Sequence, residues 1–137
     1  MHMYTVSKQF TFSASHQIDG LRPGHKCGRL HGHTYTVRIT VDSTMLDAVG
    51  MVMDFSAFEP IAEAVRVKYD HRHLNSAMGS NPTAENLAKE IFDIALRSVM
   101  FSLGKREDGL VTITVRVSEQ PTTYAEYSET IARQSDD

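Results

Sequence analysis

The sequence has no tryptophan, a single cysteine, four prolines and no long apolar run. Each shortage excludes something. One thiol, Cys27, cannot close a disulfide within the chain, and it rules out structural zinc sites built on two or more cysteines. No stretch approaches the ~20 apolar residues that span a bilayer. The first residues, Met1 to Lys8, lack the apolar core of a secretion signal. Basic residues number 14 against 17 acidic ones, a net charge of -3, so there is no basic excess for a nucleic acid or an anionic membrane surface. These absences lead us to expect a cytoplasmic protein with no membrane and no nucleic-acid partner.

What is present is ordinary in bulk: 137 residues, 41% apolar and 23% charged. That length fits one domain, residues 1–137, able to bury roughly two-thirds of its unfolded surface without covalent staples. No repeat or low-complexity tract interrupts it, and the polar tail Gln134 to Asp137 is expected to fray.

The hydrophobic pattern changes period along the chain. Over residues 4–16, Tyr4, Val6, Phe10, Phe12 and Ala14 alternate with polar neighbours; Lys8 breaks the apolar face and His16 ends it. Period two marks a half-buried strand. A loop rich in glycine follows over 17–30, and His31, His33, Tyr35, Val37, Ile39 and Val41 then share one face of a second strand. Residues 45–53 read as a connection with room for a short edge strand. Steps of three and four join Phe58, Ile61, Ala62, Val65 and Tyr69 in a helix capped by Ser56, and Leu87, Ala88, Ile91, Ala95 and Met100 in a second helix capped by Thr83. Between them, 70–82 reads as a loop, and the chain turns over 104–109. Val111, Ile113, Val115 and Val117 alternate in a third strand whose apolar face Glu119 continues, and a fourth runs over 123–131. The order ββααββ predicts an α+β fold: a four-stranded antiparallel sheet with two helices on one face. Such a sheet leaves two edges to cover, and pairing with other subunits covers them.

Five of the seven histidines fall in two groups, His25, His31 and His33, then His71 and His73. His31 and His33 point the same way from one strand, about 6–7 Å apart along the chain. His16 ends the matching face of the neighbouring strand. Three imidazoles on one zinc ion leave its fourth position open, as in catalytic sites. Hydrogen-bonded core histidines would produce the same pattern, and spacing does not choose between the two. Cys27, between Lys26 and one residue short of Arg29, has cations nearby that favour the reactive thiolate; a small buried hydrophobe is the other reading. Asp70 beside His71 can tune a proton carrier, or both can belong to a solvated helix end. Glu119, at the end of an apolar stripe, requires a partner or turns to solvent; a guanidine-like ligand edge would suit a carboxylate there.

Together these pieces resemble the 6-pyruvoyl-tetrahydropterin synthase family, in particular its 6-carboxy-5,6,7,8-tetrahydropterin synthase branch. The matching residues are Phe10-Thr11-Phe12-Ser13-Ala14-Ser15-His16, Cys27-Gly28-Arg29-Leu30-His31-Gly32-His33-Thr34-Tyr35, Met53-Asp54-Phe55, Asp70-His71-Arg72-His73-Leu74-Asn75, Asn81-Pro82-Thr83-Ala84-Glu85-Asn86 and Glu119. The resemblance implies the tunnelling fold (T-fold), a homohexamer built as a dimer of trimers, and a site between subunits. It implies zinc on His16, His31 and His33, Cys27 as proton acceptor, Asp70 and His71 as its relay, and Glu119 as the anchor of a pterin ring. The implied reaction is that of a lyase, converting 7,8-dihydroneopterin triphosphate with release of acetaldehyde and triphosphate, in biosynthesis of a 7-deazapurine of the queuosine type. The three residues between the cysteine and His31 resemble the carboxy branch; the pyruvoyl branch has a longer gap, and a pyruvoyl product is the alternative. One departure is Gln120, where many members have threonine. A competing reading of another class is a non-catalytic zinc-binding module that stabilises an assembly.

Overall fold

The computed structural model describes residues 1–104 and 109–133. The centre of the turn expected over 104–109, and the tail 134–137, lie outside the described residues. Five strands form one sheet: β1 (Tyr4–His16), β2 (His31–Ser43), β3 (Arg72–His73), β4 (Gly109–Gln120) and β5 (Thr123–Arg133), in the order β3-β1-β2-β4-β5. The four long strands are antiparallel neighbours, as the order of elements predicts. The fifth, β3, is two residues lying parallel to β1 at Ala14 and Ser15. It is too short for its pattern to be visible, so the sequence reads it as loop.

One face of the sheet is covered by α1 (Glu59–Tyr69) and α3 (Ala84–Leu103), with the single turn α2 (Leu74–Ala77) between them. Val37, Ile39 and Val41 of β2 and Ile113, Val115 and Val117 of β4 are buried there with Ile61 and Val65 of α1 and Leu87, Ile91 and Ala95 of α3. The other face carries the polar set, including Thr11, Thr34, Thr36, Arg38 and Arg116. Lys8 keeps its place on the apolar face of β1 by pairing with Glu59 at 3.3 Å.

Thr83 caps α3 as expected, its hydroxyl accepting from Asn86 N at 3.1 Å. The start of the first helix differs. Asp54, not Ser56, is the cap: its carboxylate accepts from Ser56 N at 2.8 Å and opens a 3-10 turn, Phe55–Phe58, before α1. The carboxylate is the stronger acceptor, and Pro60 fits the first turn of α1, where its missing N–H costs nothing. No strand forms within 45–53; Asp47 instead folds that stretch into a turn by accepting from Val49 N and Met51 N.

Candidate metal centre

The long antiparallel register from Tyr4↔Ser43 to His16↔His31 puts His16 directly across from His31. His33 lies two residues along the same face. The three rings meet edge to face, with centroids 4.5 Å (His16–His31), 5.0 Å (His16–His33) and 4.8 Å (His31–His33) apart. One ligand nitrogen from each lies within 4.8 Å of the others. Gly32 between them is needed for closeness more than for room: a Cβ there would sit 3.3 Å from the Ala14 carbonyl oxygen on β1.

The tautomers are fixed from outside the cluster. His16 Nδ1–H donates to Pro82 O at 2.8 Å, and His31 Nδ1–H donates to Arg29 O at 2.6 Å. Each Nε2 is thereby left as a lone pair, and the two face each other at 2.9 Å. His33 Nε2 is buried with no hydrogen-bond partner. Lone pairs aimed at one another repel unless a cation or proton lies between them. Three inward nitrogens, two with backbone carbonyls behind them, suit a divalent ion that prefers imidazole, such as zinc. Burial holds the His33 imidazole below its ordinary pKa; Glu119 works against that shift, and the other two histidines add to it. A neutral imidazole is the form that binds metal.

Glu119 reaches this cluster by a β-bulge. The β4–β5 register slips between Val117 and Gln120, and Glu119 Oε2 lies 3.7 Å from His33 Nε2. A bulge re-aims one side chain without ending the strand, and bulges gather near functional sites. The carboxylate thus stands beside the cluster but outside hydrogen-bond distance of it, which leaves its oxygens open to a ligand edge or solvent. It also lines a hollow of about 330 Å³ with Ile18, Leu21, Thr83, Glu85 and Tyr124. That hollow has apolar walls and two carboxylates, and the contribution of Thr83 and Glu85 to it was invisible in their helix-capping pattern.

None of Cys27, Asp70 and His71 belongs to the three-histidine ligand group. Cys27 is half-buried in a 3-10 turn (Lys26–Gly28) on the β1–β2 connection, its N–H donating to His25 Nδ1 at 3.1 Å. Asp70 and His71 lie at the β1 edge. Ser13 N donates to Asp70 Oδ1 at 3.0 Å, His71 N donates to Ser13 O at 2.6 Å, and His71 Nδ1 is 3.0 Å from Asp70 Oδ1. The Ser13 N–H is the main reason the Asp70 carboxyl sits below the usual range, with His71 adding to it. His71 has φ 56, in the left-handed region, and its side chain is 84% exposed. With His33, His73, Ser13, Ser15, Gly32 and Thr34 it borders a hollow of about 540 Å³. Those serine, glycine and threonine residues belong to the open face of the sheet, opposite the face of His16 and Tyr35. His71 at the sheet edge and His33 of the histidine cluster border one hollow.

Two asparagines pin the strand exit beside His16. Asn75 holds Gln17 by both its N–H (2.9 Å) and its carbonyl (2.7 Å), and Asn81 holds Asp19 in the same way at 3.0 and 2.9 Å. Their side chains complete what would otherwise be unpaired backbone in crossing loops. The sequence motifs contain both asparagines, but nothing in their spacing specifies this partner. No helix among the described residues is long and apolar enough to cross a membrane.

Residues 5–130 match the family described as 6-pyruvoyl tetrahydropterin synthase. A Bacillus subtilis protein named 6-carboxy-5,6,7,8-tetrahydropterin synthase is 35% identical over 133 residues, covering 92% of this chain and 86% of its own. A Synechocystis protein of the same name is 40% identical over 98 residues, 66% of this chain and 73% of its own. The solved Caenorhabditis elegans 6-pyruvoyl tetrahydropterin synthase superposes with a TM-score of 0.70 at 26% identity, covering 94% of this chain and 97% of the other.

Proposed function

The chain belongs to the 6-pyruvoyl tetrahydropterin synthase family, and from that premise we propose that it is a zinc-dependent 6-carboxy-5,6,7,8-tetrahydropterin synthase. Its enzymatic class is that of its relatives, a lyase-type pterin synthase. The proposed substrate is 7,8-dihydroneopterin triphosphate. With one water it yields 6-carboxy-5,6,7,8-tetrahydropterin, acetaldehyde and triphosphate, a step toward a 7-deazapurine of the queuosine type in the cytoplasm. The observation that carries the reading is the pair of carbonyl-locked imidazoles whose Nε2 atoms face each other, with His33 Nε2 beside them. Among the described residues three protein ligands converge, which suits a catalytic and not a closed structural site.

His16, His31 and His33 would hold the zinc. When bound, it supplies Lewis acidity that makes neighbouring hydroxyl and carbon-bound protons easier to remove. Cys27 as thiolate takes such a proton, and His71 returns or removes the second one. Asp70 orients His71 through its 3.0 Å contact and is itself held by the Ser13 N–H. Glu119 anchors the ring by accepting two parallel N–H bonds from its guanidine-like edge. Lys26 and Arg29 flank Cys27 and are available to the triphosphate or to solvent.

The edge position of Asp70–His71, with the His71 side chain mostly in solvent, supports a site finished by a second subunit. So does β5, an 11-residue edge strand with mostly exposed side chains. We therefore propose a homohexamer, a dimer of trimers joined through sheet edges. The test is incubation of zinc-loaded protein with the substrate and mass analysis of the pterin. A 6-carboxy product supports the reading. A 6-pyruvoyl product moves the chain to the sister activity, and no turnover favours the zinc-binding assembly module.

A further inference from the structure

Tyr35 is 1% exposed, yet the chemistry above gives it no task. Its hydroxyl oxygen lies 3.3 Å from His16 Nδ1. The same Nδ1–H already donates to Pro82 O at 2.8 Å, so the phenol oxygen is placed to accept a second share of that bond. A bond in the other direction is disfavoured: an Nδ1 lone pair would then face the Pro82 carbonyl at hydrogen-bond distance. The ring cannot swing away, because it stacks on Phe12 with centroids 5.1 Å apart and planes 17° apart, and Phe12 stacks in turn on Tyr69 at 5.9 Å. It also stands edge-on to both His16 (6.1 Å) and His33 (5.5 Å). The aromatic core thus sets where this one oxygen sits, and the oxygen bears on a histidine of the cluster.

We propose that Tyr35 is a positioning residue for the metal, its hydroxyl accepting from His16 Nδ1–H and so orienting the ring and strengthening Nε2 as a donor. This rests on the reading that His16, His31 and His33 hold zinc. Oxygen acceptors behind a ligating imidazole fix its tautomer and raise its basicity, and their loss typically weakens metal binding about 10- to 100-fold.

The experiment compares wild type, Tyr35→Phe and Tyr35→Leu. Zinc affinity is measured by competition with a chromophoric chelator, and the His16 Nδ1 proton is followed by NMR in the zinc-loaded protein. Tyr35→Phe keeps the stack and removes only the oxygen. We expect it to bind zinc about 10- to 100-fold more weakly, to shift the His16 Nδ1 proton resonance, and to unfold at the wild-type temperature when metal-free. Raising free zinc should restore its turnover, which repair of a damaged fold would not. Equal zinc affinity in wild type and Tyr35→Phe overturns the inference and leaves the metal site standing. Weak binding in Tyr35→Leu alone also overturns it, since the ring and not the hydroxyl would then matter. If wild type itself fails to bind zinc, the reading of the three histidines falls first, and the inference with it.

Discussion

The histidine cluster and the acid–base pair are built to different standards. Each of His16 and His31 has a backbone carbonyl fixing its Nδ1, and His16 is fully buried. His71 hangs from a strained backbone at a sheet edge with most of its side chain in solvent, and Cys27 sits in a three-residue turn. The first region is finished within one chain. The second is a set of groups held ready at a surface. A metal needs several nitrogens fixed to within a fraction of an ångström. A proton relay needs its members brought to the substrate, and they can come from different chains.

The largest expected effect separates the two regions outright. Cys27→Ala should lower turnover by about 10²- to 10⁴-fold, the usual worth of a positioned acid–base group, while metal analysis finds zinc unchanged. His31→Ala should lose zinc on dialysis and turnover with it. A Cys27→Ala protein that drops its zinc would make the thiol a ligand and erase the distinction. Next comes a mixing experiment. Cys27→Ala and His71→Ala chains, each inactive, are unfolded together, refolded and assayed. If the two residues meet across an interface, random assembly regenerates intact sites and returns about a quarter of wild-type turnover. No recovery would put Cys27 and His71 of each site in the same chain.

The smallest effect is on stability in acid. The Asp70 carboxyl titrates lower in the folded chain than in the unfolded one, chiefly because of the Ser13 N–H. Its contribution is therefore fully present above the unfolded value of about 4 and is lost as pH falls through the folded value. Asp70→Asn should lower the unfolding temperature near neutrality, where the contribution is present, and converge on wild type as pH falls through the folded value, which flattens the acid limb. An unchanged acid limb would mean that the Ser13 contact does not favour the ionised form.

Much of this was legible in the residues. Alternation located β1, β2 and β4 because each has one buried face, and Thr83 announced the start of α3. The three-histidine cluster was legible for the same reason: His31 and His33 share a face, and the register brings His16 opposite. Three things were not. The two-residue β3 is made by His71 N–H and Asp70 clasping Ser13, a tertiary contact with no periodicity of its own. The bulge that aims Glu119 at His33 depends on a one-residue slip against β5. The carbonyls of Arg29 and Pro82 that lock the imidazoles are backbone atoms, available at any residue, so their placement is decided by the loops alone.

The proposed chemistry requires an open site of three imidazoles. X-ray absorption at the zinc edge of the loaded protein tests that most directly. It should show three nitrogen neighbours at about 2.0–2.1 Å and one exchangeable oxygen. A sulfur neighbour near 2.3 Å, or a fourth protein nitrogen, would contradict it: the first would recruit Cys27 as a ligand, and the second would close the position the chemistry requires.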